Sequence, residues 1–239
     1  VLNILEIFEK YNIHATWATV GFLFFNSKEE LFCSLPDKKP SYVNNSLSPY
    51  NFLKLNDLNK QGNSIYFAKN LIDKILCSDN QEIGSHTFSH YYCLENGQNI
   101  EEFTSDMLAA KNIGKKFNLN IESLVFPRNQ INTNYLSVCS ELNINSYRGN
   151  QLSFLYKNGS SNDSLLKRAF RLIDTYINIS GHNVYTPSNE SNKFPLNIRA
   201  SSFLRPYSKK LRYIDYFKLR RIRRAMTYAA KMGGTYHLW

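Results

Sequence analysis

The chain has 239 residues, 43% of them hydrophobic and 14% aromatic, with a net charge of +10. That is enough apolar material for a sizeable core, and it excludes a chain kept disordered by its composition. The longest apolar run, Val20 to Phe25, is far short of the roughly 20 residues a membrane-spanning helix needs.

In chain order, Leu2, Leu5 and Phe8, with Ile4 and Ile7, predict an amphipathic helix over residues 1–12. His14 to Gly21 is β-prone and ended by glycine. Residues 26–62, rich in Asn, Ser, Pro and Lys, predict a long excursion. From Ser64 the spacing of Ile65, Ala68, Leu71, Ile72, Ile75 and Leu76 predicts a helix, and Glu82-Ile83-Gly84 a short strand. Residues 100–117 predict a second long helix. Ile121 to Phe126 predicts a strand stopped by Pro127. A helix over 133–142, a strand from Ile144 to Tyr147 and a helix from Leu165 to Ile177 follow. A second excursion covers 181–197, a basic helix 209–232, and Gly233-Gly234 turns into a strand from Thr235 to Trp239. Helix and strand alternate without a repeat, which predicts an α/β fold with parallel strands in a single domain over 1–239.

The four cysteines, Cys33, Cys77, Cys93 and Cys139, are dispersed, with no CxxC pair. A four-cysteine zinc site and a disulfide framework are both disfavoured, so reduced thiols in a cytosol-like compartment are expected, an extracytoplasmic location staying open. The N-terminus lacks a basic n-region and a small-residue cleavage site, so no signal peptide is expected. An Asn- and Lys-rich composition fits an AT-rich bacterial coding sequence. The positive excess gathers in Lys209-Lys210-Leu211-Arg212 and in Lys218 to Arg224. It is either the solvated face of a long helix or a surface for an anionic glycan, lipid phosphate or nucleic acid. Against nucleic acid, no recognition motif is present and aromatics do not interleave with the charges.

Chemistry concentrates in Glu82-Ile83-Gly84-Ser85-His86-Thr87-Phe88-Ser89-His90. Two histidines four apart on a helical turn point to one side and can grip one cation, and imidazole is a common zinc ligand. By spacing alone HxxxH is a weak pattern, and the pair reads first as two ordinary surface or capping histidines. The motif as a whole resembles the H-[ST]-x-x-H motif of the polysaccharide deacetylase family, carbohydrate esterase family four. Leu5 to Gly21 is similar to that family's helix followed by an ATFFVxG strand. Leu124-Val125-Phe126-Pro127-Arg128-Asn129 falls where the family carries its arginine/proline motif, and His237-Leu238-Trp239 is similar to the start of the strand before its last catalytic histidine.

The resemblance implies a distorted (β/α) barrel, truncated at both ends, that holds one divalent metal, zinc in most members. It implies removal of acetyl groups from a carbohydrate, such as a cell-surface glycan, by amide or ester hydrolysis. It assigns His86 and His90 as metal ligands. The third ligand and the general base are aspartates of a strand before Val1, and the general acid is a histidine after Trp239, so these 239 residues alone are expected to be inactive. Thr87 is assigned to bracing the histidine loop, unless it is simply a helix N-terminal threonine. Arg128 follows its proline where the family's arginine precedes it, so Arg148 and Arg205 stand beside it as candidates for the same task. Arg205 and Trp239 are also candidate substrate contacts, whereas His14, His182 and His237 read as structural. The alternative to an enzyme is a deacetylase-like module that holds glycan without turnover.

Overall fold

The computed structural model describes residues 1–55, 66–156, 164–186 and 194–239. The C-terminal part of the first excursion, the start of the helix expected from Ser64, and the middle of the second excursion lie outside them. The chain groups into two compact units, Val1–Tyr147 and Arg148–Trp239. Five strands form one sheet in the order β1-β2-β3-β4-β5: Ala15–Thr19, Gln81–Ser85, Ser123–Leu124, Ser146–Gly149 and Leu196–Arg199. The first four pair in parallel, β1 with β2, β2 with β3 and β3 with β4. The α/β class expected from the alternating pattern is present, but the sheet is open where the resemblance implies a barrel.

In the first unit, α1 (Leu2–Lys10) precedes β1. The first excursion is not structureless: it carries α2 (Lys28–Phe32) and α3 (Pro49–Leu55). Helices α4 (Lys69–Leu76) and α5 (Ile100–Lys116) flank β2, and α6 (Leu136–Glu141) precedes β4. Helix α5 shows why the sequence folds locally as it does. The Asn99 side chain accepts from the Glu102 amide, Glu101 and Glu102 sit in the first turn, and Lys115 and Lys116 in the last, each complementing the helix ends. Its inner face buries Phe103, Met107, Ala110 and Ile113. Ile83, Phe88 and Ile113 join one core patch, while Phe103, Met107, Leu124 and Phe126 join a second.

The second unit contains α7 (Leu165–Asp174) and α8 (Asp215–Met232), the latter ended by Gly233 at φ 60°. A glycine suits this left-handed cap because it has no Cβ to clash. The strand expected at 235–239 is two isolated bridges, Thr235 with Tyr185 and Leu238 with Ser202. Buried apolar residues among the described part of this unit are small or few: Leu155, Ala200, Ala225 and Ala229. A polar hub replaces a large core. Asp174, fully buried, accepts from the amides of Ile179 and Ser180, from the hydroxyls of Tyr156 and Ser180, and from Arg221 Nη2 at 2.9 Å.

This hub corrects the reading of the basic helix as one solvated face. Lys218 is buried and paired with Asp215 at 3.0 Å, and the Arg221 side chain is only 11% exposed. Losing one partner of a buried ion pair leaves the other charge uncompensated. Arg221→Ala is therefore expected to lower stability by about 3–5 kcal/mol, whereas Arg224→Ala, an exposed arginine, changes it by about 0.5 kcal/mol or less. Urea midpoints of the two variants check the contrast.

Candidate functional site

The histidine pair sits immediately beyond the carboxyl end of β2, in the first unit. The backbone carries β1–β2 pairing one step further: the His86 amide donates to the Thr19 carbonyl at 2.9 Å. The chain then leaves the sheet without forming the expected helical turn. Thr87 and His90 take left-handed backbone angles, φ 62° and 60°. For a β-branched threonine this conformation is costly, and it persists only where the surroundings enforce it.

Thr87 is fully buried; its amide donates to Ser85 Oγ at 2.9 Å, and its Oγ1 accepts from the Tyr91 amide at 2.7 Å. The Gly21 amide donates to the Thr87 carbonyl at 3.1 Å. Gly21 lies so close that a Cβ there would come within 2.4 Å of Phe88 Cδ2 and 2.9 Å of Phe88 Cα. Thr87 thus braces the loop by hydrogen bonds, from a turn and not from a helix N-terminus.

Beneath the turn lies a residue the sequence reading passed over. Asp106 of α5, fully buried, accepts from the amides of Phe88 at 2.7 Å and Ser89 at 3.3 Å and from the Ser89 hydroxyl. Its signal was present: a carboxylate among Phe103, Met107, Ala110 and Ile113 on the apolar face of an amphipathic helix is out of place unless something donates to it. Burial raises its carboxyl to about 6, and the three donated bonds hold it back from going higher.

The two imidazoles face each other edge to face, ring centroids 4.8 Å apart. His86 Nδ1 lies 2.6 Å from the Val125 carbonyl. A carbonyl only accepts, so Nδ1 carries the proton and Nε2 the lone pair, the tautomer a metal ligand requires. His90 Nδ1 lies 3.1 Å from the Tyr92 hydroxyl. Burial, and then the Arg128 guanidinium, hold the His90 imidazole below its ordinary value and so favour the neutral form. Two imidazoles so placed fit two positions of a divalent-metal site. Among the described residues no group of three or more His, Cys, Asp or Glu gathers to complete one.

Arg128 is also in a left-handed conformation, φ 52°. Its guanidinium lies 4.3 Å from the Tyr92 ring centroid and 3.9 Å from Glu95 Oε1. The structure therefore brings Arg128 together with His90 through Tyr92, a second residue the sequence reading did not single out. In the second unit, the Arg148 guanidinium stacks 4.0 Å from the Trp239 ring centroid, and burial pushes its pKa down to about 10. Arg205 is elsewhere in that unit: its Nε donates to Thr175 Oγ1 at 2.9 Å, and its carbonyl accepts from Lys218 Nζ at 3.2 Å. All four cysteines are free thiols, Cys93 and Cys139 buried.

No family model matches the chain, and no curated protein matches it. Among solved structures it is similar to the Streptococcus pyogenes deacetylase PplD in complex with acetate, at 16% identity and a TM-score of 0.34. That similarity covers 61% of this chain and 69% of the other.

Asp106→Asn keeps the side-chain shape and can keep an oxygen on the two amides, but its NH2 then forces the Ser89 hydroxyl to turn from donor to acceptor, at an expected cost of about 0.5–1.5 kcal/mol. The pH dependence gives a second readout. A carboxyl raised in the folded state binds its proton more tightly there, so its contribution is full below the ordinary value of 3.8 and is lost as pH rises through about 6. Between those values the stability of the natural protein should fall with pH relative to Asp106→Asn. Denaturant midpoints of both proteins, taken across that window, measure the difference.

Proposed function

We propose that this chain carries the metal-binding histidines of a metal-dependent hydrolase that removes acetyl groups from a carbohydrate, with the distorted barrel of the deacetylase family as its complete fold. The observation that supports this best is the histidine pair itself. Two imidazoles lie side by side at the carboxyl end of a parallel strand, where α/β folds place ligands. Their turn is strained and held by Thr87 and Asp106, which is unnecessary for two ordinary surface histidines.

His86 and His90 would hold the cation, preferably zinc, which nitrogen ligands suit. When bound, such a cation polarises an acyl carbonyl and lowers the pKa of its water to about 7. The chain's own residues set the stage. The Val125 carbonyl fixes the His86 tautomer, the Tyr92 hydroxyl and Asp106 fix the placement of His90 and its turn, and burial, with Arg128 second, favours neutral His90, while Arg128 offers donors to substrate oxygens. Arg148 against Trp239 is the corresponding candidate surface in the second unit. A hydrolytic zinc takes three protein ligands, and the resemblance assigns the third, together with the general base, to aspartates outside residues 1–239.

The second reading is a module that holds glycan without turnover, and absence of those aspartates from the complete protein would favour it. Metal analysis and acetate release separate the two. Residues 1–239 alone are expected to bind zinc weakly and to release no acetate from acetylated amino-sugar oligomers above background. In a protein that joins them to a carboxylate ligand, His86→Ala or His90→Ala should abolish stoichiometric zinc and acetate release together while far-ultraviolet circular dichroism is unchanged. A full equivalent of zinc retained by both variants would remove the reading; zinc-loaded protein that binds the oligomers and never releases acetate would favour the module.

A further inference from the structure

The basic helix α8 carries a feature independent of the histidine pair. Phe217, Arg220, Arg221 and Arg224 are spaced i, i+3, i+4 and i+7, so they share one face. With the segment from Tyr176 to His182 they line a cavity of about 340 Å³, within the range of small-molecule sites. Both walls belong to the second unit. They are clamped together by Arg221, which reaches Asp174 at 2.9 Å and Ser180 Oγ at 3.2 Å. Asp174 in turn binds the Ile179 and Ser180 amides. The clamp neutralises Arg221 and leaves Arg220 and Arg224, both exposed, one helical turn apart at the cavity, with no carboxylate among its lining residues.

One further observation narrows the ligand. Phe217 and Ile177, 47% and 64% exposed, add apolar surface beside the arginines. Two guanidiniums one turn apart, with no ion-pair partner among the described residues, match a dianionic oxyanion, which arginine binds in bidentate fashion. The apolar wall fits a carbon group attached to it.

We propose that this cavity is a binding site for an organic phosphate monoester. Arg220 and Arg224 hold the phosphate, and Phe217 packs on the ester group. Because the site lies in a unit tied together by Asp174 and Arg221, it is formed before the ligand arrives and does not require the metal.

Calorimetric titration of the 239-residue protein at low ionic strength tests this, with phenyl phosphate and inorganic phosphate as probes. One saturable site per chain is expected, with phenyl phosphate the tighter ligand. Arg220→Gln combined with Arg224→Gln should weaken both probes at least tenfold. Phe217→Ala should erase the advantage of phenyl phosphate, and Arg223→Gln combined with Lys231→Gln, which removes the same two charges from exposed residues that do not line the cavity, should change neither. Non-saturating heats, or an equal loss in that second double variant, would reduce the feature to a diffuse basic surface and overturn the proposal. Inorganic phosphate binding as tightly as phenyl phosphate would overturn the assignment to an ester.

Discussion

The Asp106 carboxylate is the interaction on which the candidate site rests. A carboxylate in the apolar face of α5 pays a desolvation cost that only donated hydrogen bonds offset, and the donors within reach are the amides and hydroxyl of the histidine turn. That requirement runs in both directions. Asp106 needs the turn to satisfy its oxygens, and the turn, with Thr87 and His90 in left-handed conformations, needs Asp106 and the Thr87 hydroxyl to stay in place. Helix packing thereby becomes imidazole placement: α5 is docked by Phe103, Met107 and Ile113, and its fully buried Asp106 carboxylate positions the residues between the two histidines.

The second unit solves the same problem of cohesion differently. With few large side chains in its described interior, it relies on Asp174 as a polar centre that binds a turn, a tyrosine and an arginine at once. Fully satisfied polar networks of this kind specify one arrangement, because every alternative strands a buried charge. The consequence for α8 is a division of labour along one helix. Lys218 and Arg221 face inward and are neutralised locally, while Arg220 and Arg224 remain to face a ligand. Charge counted along a sequence overstates what a partner can meet.

Much of this was legible in the residues. The 3.6-residue spacing of apolar side chains placed α1 and α4, the basic run lay on α8, and the β-prone runs placed β1, β2 and β4, because amphipathic period and β-branching are read directly from side-chain chemistry. Strand β5 was missed, since Leu196 to Arg199 is short and lies beside Pro195 in a polar stretch. The terminal run from Thr235 is as β-prone as β1 but makes only isolated bridges, since a strand forms only where a neighbour supplies a ladder of donors and acceptors. Short helices inside the first excursion carry too few residues for a period to stand out.

What the sequence alone determined is the presence and neighbourhood of the two histidines: a short strand, a glycine, then imidazoles four residues apart. Tertiary structure decided how they are presented. Four-residue spacing brings side chains together on a helix, yet these two meet in a non-helical turn, which exists only because Gly21 admits Phe88, Ser85 and Tyr91 bond Thr87, and Asp106 arrives from α5. The Val125 carbonyl that sets the His86 tautomer comes from the end of the neighbouring strand, 39 residues away in the chain. Backbone angles against a residue's own preference, and tautomers set by a distant carbonyl, are properties of the surroundings and not of the residue, so no local pattern encodes them.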